Sequence, residues 1–139
     1  MRAMRLLLPV IGIACLCGAA LAGPLVLLSD FGTRDGAVCA MKGVAVQVDP
    51  KLAIYDLTHE IPAFDVWEAG FRLQQAAPFW PKGTVFVAVV DPGVGTTRKS
   101  LVLETKSGHI FVGPDNGLFT LVAADLGVKQ ADAQVRQHQ

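Results

Sequence analysis

The feature that most constrains this chain is a series of short apolar runs separated by stretches of helical periodicity. Thr84–Val90 (TVFVAVV) is the clearest, β-branched and without charge, as in a strand covered on both faces. Pro24–Ser29 (PLVLLS) and Leu52–Leu57 (LAIYDL) read the same way. Between them Val38, Met41, Ala45 and Val48 recur at helical spacing, ending at Asp49-Pro50, where proline forbids continuation. Asp65 opens a second helix that runs to about Ala77, ahead of Pro78 and Pro81. Ser100–Thr105 and His109–Gly113 flank Lys106-Ser107-Gly108 as a hairpin, and Leu118–Leu126 reads as a short helix. This order predicts an α/β fold, an open and mostly parallel sheet with flanking helices. The polar tail, Lys129–Gln139, has no apolar periodicity and is expected to fray.

The first 22 residues read differently. Arg2 and Arg5 precede an uncharged run, Leu6–Ala22, which ends in the small-x-small step Ala20-Leu21-Ala22 before Gly23-Pro24. That is the pattern of a secretory signal peptide cleaved after Ala22, giving an exported, periplasmic protein with no stable membrane association thereafter. An uncleaved anchor is the alternative, and the run is at the low edge of a bilayer span. The remaining residues, 23–128, suffice for one compact domain. Without the two leader arginines, ten basic residues face twelve acidic ones. No Lys/Arg cluster offers a footprint for a phosphate backbone, which excludes nucleic acid as an expected partner. Cys39 alone cannot close an intrachain disulfide, and no Cys/His spacing suggests a metal site.

Ligands of open parallel sheets sit outside the carboxyl ends of the strands. The first strand is followed by Asp30, Phe31, Gly32 and Asp35, the second by Thr58, His59 and Glu60. Asp91, Gly93 and Gly95 follow the third, and Asp115 and Asn116 follow the hairpin. A carboxylate at such a rim can accept two hydrogen bonds from a vicinal diol, as in ribose recognition. Asp91 and Asn116 therefore join Asp30 and Asp35 as substrate-binding candidates. Taken singly, each is also ordinary turn chemistry, and Gly93-Val94-Gly95 matches neither a phosphate loop nor the dinucleotide fingerprint. Asp65 and Arg72 stand two helical turns apart on one stripe, about 10 Å along the axis. Asp65-Val66-Trp67-Glu68 also reads as a capping box, and a carboxylate has acceptor sites enough for both roles.

Four segments in order, SDFGTRDGAVCAMKG, DLTHEIPAFDVWEAGFRL, PKGTVFVAVVDPGVGTTRKS and HIFVGPDNGLFTL, resemble the motifs of the S-adenosyl-L-methionine hydroxide adenosyltransferases. That superfamily also holds fluorinases and chlorinases. The resemblance runs from about Leu25 to Leu126. It implies that S-adenosylmethionine and water give adenosine and L-methionine, by displacement at the ribose C5′, with no cofactor and no metal. It places Asp30 at the ribose diol, Asp35 near the methionine amino group and Phe64 beside the nucleoside. Asp65 and Arg72 correspond to two members of an Asp–Arg–His set that handles the water. His109 is a candidate for the third, an ordinary strand-end histidine being the alternative, while His59 orders its own turn. Asp65, Arg72 and Ala37, which stands where a halide user has a hydroxyl, favour water over halide.

The resemblance also implies a second, β-rich domain that this sequence does not show, and a homotrimer once that domain is supplied. Two expectations follow. The chain is a hydrolase that needs this domain for activity, whether as a truncated reading frame or a natural half-protein. Otherwise it is a non-catalytic exported remnant that binds adenosine or a partner.

Overall fold

A computed structural model describes residues 23–134. The expected leader, residues 1–22, and the last residues of the tail, 135–139, lie outside the described residues. The chain order is β1 (Leu25–Ser29), α1 (Ala37–Val48), β2 (Ile54–Thr58), α2 (Val66–Ala76), a short 3-10 turn (Ala77–Phe79), and β3 (Val85–Val89). Then come β4 (Ser100–Thr105), β5 (Ile110–Pro114), α3 (Thr120–Leu126) and β6 (Val128–Gln134).

The six strands form one sheet in the order β2-β1-β3-β5-β4-β6. β1 pairs in parallel with both β2 and β3, and β3 pairs in parallel with β5. The β4–β5 hairpin and the β4–β6 pair are antiparallel. The fold is thus the expected α/β sheet, mostly parallel, with helices flanking it.

The tail is not frayed over its first part, contrary to expectation. Val128–Gln134 adds to the outer edge of β4, with Leu101 opposite Ala133 and Leu103 opposite Ala131. Backbone pairing, not side-chain burial, holds it: every residue of 128–133 is exposed. An edge strand needs little apolar periodicity when its partner supplies the ladder, and charges such as Lys129 and Asp132 suit an edge.

The core lies on one face of the sheet. Registered rows place Val26, Phe86, Phe111 and Leu103 side by side. Ala69, Leu73, Leu118 and Val122 from α2, α3 and the turn before α3 complete the same buried cluster. Phe86 and Phe111 stack with centroids 5.0 Å apart, and Phe119 tilts onto Phe111 at 5.7 Å. Each such ring contributes about 2–3 kcal/mol by leaving water. Gly70 lets α2 approach closely, because a Cβ there would meet the Leu118 carbonyl oxygen at 2.9 Å. No helix among the described residues is long and apolar enough to cross a membrane.

Candidate functional site

Because β1 sends the chain to β2 on one side and is flanked by β3 on the other, the sheet reverses its winding between β1 and β3. At such a switch point the loops leaving two neighbouring strands part in opposite directions and leave a crevice at their carboxyl ends. Asp30 and Asp91 leave the two strands that flank it.

One wall of the crevice is the β1 loop locked to the β2 loop. The Gly32 amide donates to the His59 carbonyl at 2.7 Å, and the Phe64 amide donates to Asp30 Oδ2 at 2.8 Å. Ser29 Oγ lies 2.7 Å from His59 Nδ1, and the Thr33 hydroxyl donates to Glu60 at 3.0 Å. Asp30 thereby fixes Phe64, the one non-glycine among the described residues with positive φ, at 64°. The Phe64 ring is left exposed at the rim, beside Asp65.

The other wall joins the β3 loop to the β5 loop. The Asn116 side-chain amide donates to the Val90 carbonyl at 2.9 Å and its oxygen accepts from the Leu118 amide at 3.1 Å. Buried Asp91 accepts from the Gly93 amide at 2.8 Å and lies 3.1 Å from Arg98 Nε. That Nε is buried without an aligned hydrogen bond, so the contact is an ion pair by distance only. Asn116 thus spends both side-chain polar atoms on building the wall, and Asp91 spends Oδ1.

Asp65 caps α2, its Oδ1 accepting from the Glu68 amide at 2.9 Å, as the capping pattern predicts. The reciprocal half of the box does not form. The Asp65 amide donates to Pro62 instead, and the Glu68 carboxylate takes Arg72 at 2.7 Å. Arg72 also donates to Gln75 and lies over the Phe71 ring at 5.7 Å. Asp65 and Arg72 are thus linked through Glu68 but not in contact. Asp35 is exposed in the β1–α1 loop and accepts from the Ala37 amide at 2.9 Å, which starts α1.

His109 does not join the group. It precedes β5, at the amino end of that strand, whereas the crevice lies at the carboxyl ends, one strand length or about 15 Å away. It is buried, with Nε2 2.9 Å from the Trp80 carbonyl and Nδ1 2.8 Å from Ser107 Oγ. A carbonyl only accepts, so Nε2 donates and the ring is a structural bracket between the hairpin and the turn before β3. The expectation of a catalytic His109 is corrected accordingly.

Two site residues, Arg98 and Trp67, escaped the sequence reading, and a third, His59, was read only as a turn residue. His59 is almost wholly buried at the first wall, Arg98 braces the second, and exposed Trp67 lines a cleft of about 430 Å³ with Gly70, Asn116 and Leu121. A polar THE triplet directly after a strand is the signal that marked His59. Asp56 accepts from Lys42 at 2.6 Å and faces His59. Partial burial works to raise its pKa, but the hydrogen bonds and charges of Lys42 and His59 outweigh it and hold the carboxyl below its usual range. Among the described residues no group of three or more His, Cys, Asp or Glu is placed to hold a metal ion.

A mostly parallel α/β sheet with its winding reversed between β1 and β3 and acidic residues at that rim defines the doubly wound α/β class. Within that class, the chain belongs to the SAM hydroxide adenosyltransferase N-terminal domain family, which matches residues 25–139. It is 48% identical over 110 residues to the (R)-S-adenosyl-L-methionine hydrolase of Methanocaldococcus jannaschii, covering 76% of this chain and 41% of that protein. The enzyme of the same name from Thermus thermophilus is 45% identical over 98 residues, 70% of this chain and 38% of the relative. A fluorinase from an Actinoplanes species is 28% identical over 129 residues, covering 77% of this chain and 43% of the relative. Among solved structures, an uncharacterized conserved protein from Thermotoga maritima superposes with TM-score 0.77 at 40% identity, over 78% of this chain and 42% of that one. The chain spans about two fifths of the length of these relatives.

Proposed function

We propose that this chain grips S-adenosylmethionine by its nucleoside and, once a β-rich domain completes the site, hydrolyses it to adenosine and L-methionine. The observation that carries the reading is Asp30. It stands at the switch-point crevice with Oδ2 engaged by the Phe64 amide, and Oδ1 has no hydrogen bond among the described residues. A carboxylate so held is aimed and retains acceptor sites for a diol. Phe64 offers a ring beside it, and Asp35 an exposed carboxylate for an ammonium group.

In the displacement, the water oxygen bonds to C5′ as the C5′–sulfur bond breaks. The electron pair goes to sulfur, which leaves as the neutral thioether of methionine. The sulfonium is already a good leaving group, so aim and desolvation of the water are the main requirements. The water's surplus proton passes to the Asp65 carboxylate, whose Oδ1 is held by the Glu68 amide, and Arg72 supplies fixed donors. The scheme uses no cofactor and no metal. Export is part of the proposal, resting on the basic start and uncharged run of residues 1–22. A mature N-terminus at Gly23 checks cleavage, and an intact Met1 on exported protein overturns cleavage and leaves an anchored protein.

A second reading, a non-catalytic nucleoside-binding protein, is favoured by Arg72, whose donors are taken by Glu68 and Gln75 along the exposed side of α2. Titration calorimetry with adenosine and S-adenosylmethionine, paired with chromatographic assay of adenosine release, separates the two. The assay is run on the chain alone and with a relative's β-rich domain added. Binding with release supports the hydrolase, and binding without release the second reading. No binding of either ligand overturns both.

A further inference from the structure

We infer that His59 is the positioning residue of the crevice, setting Asp30 through a chain of hydrogen bonds that, in the neutral ring, puts the proton on Nε2 and leaves Nδ1 to accept. The inference rests on the reading of Asp30 as the diol-binding carboxylate. Ser29, His59 and Asp56 have the residue types of a hydrolytic triad, but the geometry rules that role out. Ser29 is fully buried and His59 nearly so, so Oγ reaches no substrate. The histidine is also turned the other way round, with Nδ1 toward the serine.

The direction of the chain follows from what each atom can do. Lys42 Nζ only donates, to Asp56 Oδ2 at 2.6 Å. Asp56 Oδ1, 3.1 Å from His59 Nε2, only accepts, so Nε2 donates. Ser29 Oγ already accepts from the Phe31 amide at 3.3 Å. With the neutral ring's one proton on Nε2, Nδ1 accepts the Ser29 hydroxyl hydrogen across 2.7 Å. The His59 carbonyl accepts from Gly32 as well. Asp30 is therefore bracketed: Ser29 before it meets the His59 ring, Phe31 after it donates to Ser29, and Gly32 donates to the His59 backbone carbonyl. Of the two neutral tautomers only that one satisfies buried Ser29 and His59, and an unsatisfied buried member would be costly. The chain begins at Lys42 on α1 and Asp56 on β2, so the carboxylate at the crevice is referenced to the edge of the sheet.

The readout is the ratio of affinities for adenosine and 2′-deoxyadenosine, measured by calorimetry on the full chain, because only a correctly aimed Asp30 senses the missing hydroxyl. Asparagine at 59 keeps an acceptor near the Nδ1 position, whereas glutamine reaches toward Asp56 and offers Ser29 nothing. His59→Asn should hold the ratio near the wild-type value. His59→Gln and Ser29→Ala should cut it about tenfold or more, the scale of one hydrogen bond to a charged group. Equal ratios in all four proteins overturn the inference, as does an equal loss in His59→Asn and His59→Gln. If a variant fails to fold by circular dichroism, nitrogen-15 NMR of histidine-labelled wild type decides. The expected result is a proton on Nε2 of His59, and a proton on Nδ1 of the neutral ring overturns the chain. A wild type that does not distinguish the two nucleosides, with the tautomer as expected, instead sinks the diol reading of Asp30.

Discussion

Phe64 holds φ at 64°, a conformation that costs a β-carbon residue about 1–2 kcal/mol. It persists because Asp30 binds its amide and because its carbonyl accepts from Val66 at the start of α2. A residue kept at such cost, with its ring exposed at a rim, fits a stacking surface better than a core position. Phe64→Gly should therefore keep stability or raise it by up to about 1 kcal/mol, while adenosine affinity falls about tenfold. A parallel loss of stability would count against the stacking role. Asp65 separates its two roles by substitution. Asp65→Ala should cost about 1 kcal/mol in thermal melts, whereas Asp65→Asn caps nearly as well. If Asp65 takes the proton of water, adenosine release in Asp65→Asn falls about 10²–10⁴-fold at unchanged melting temperature, and unchanged release reduces Asp65 to a cap. Asp56 carries a pH signature. Its folded pKa lies below the ordinary 3.8, so its stabilising effect is complete above that value and fades as pH falls through the folded pKa. Urea melts should show Asp56→Asn less stable than wild type near neutrality, with the gap closing below about pH 4. A gap that widened on acidification would reverse the sign.

The elements were legible where side chains carry the signal. The apolar runs gave β1, β2 and β3 within a residue or two, and the turn at Lys106–Gly108 gave the hairpin. The exception is β6, whose pairing is backbone to backbone and leaves no apolar trace. The site was legible only to the level of which loops meet. Asp30 was legible from the rim rule, whereas Phe64, which it binds, and the role of Asp65 were legible only through the family resemblance. His109 failed by the same rule. PDNG, after β5, belongs to the rim, so the residue before β5 must lie at the other end, and the sequence already held that constraint. His59 was seen as a turn residue because its buried partner, Ser29, is 30 positions away. The contact of α2 with the turn before α3 offers a test at this scale. Alanine at Gly70 gains up to about 1 kcal/mol in helix propensity, yet its Cβ would stand 2.9 Å from the Leu118 carbonyl. Overpacking against backbone costs about 1–3 kcal/mol, so Gly70→Ala should lower the melting temperature. A rise would mean that α2 rides more loosely than the structure shows.

At the scale of the whole molecule, the two faces of the sheet are unequally covered. On the core face Phe86, Ala88 and Phe111 are fully buried, while their neighbours Val85, Val87, Val89, Ile110 and Val112 on the other face are only partly so. Register makes this second face continuous, with Leu27, Val87, Val112 and Val102 in one row across four strands. α1 adds to the imbalance. None of its residues is buried, and Val44 and Val48 are 64% and 85% exposed one helical turn apart. Scattered apolar residues are ordinary on a protein surface, but a helix with this stripe and a half-covered sheet face favour association. The chain should therefore self-associate, its weight-average mass by light scattering rising with concentration. Replacing Val44 by Glu and Val48 by Lys removes the stripe and sets two opposite charges in the favoured helical order. Neither side chain is buried, so the melting temperature of that double variant should stay within a few degrees while association weakens. A wild type that remains a monodisperse monomer at high concentration would show that neither surface drives association.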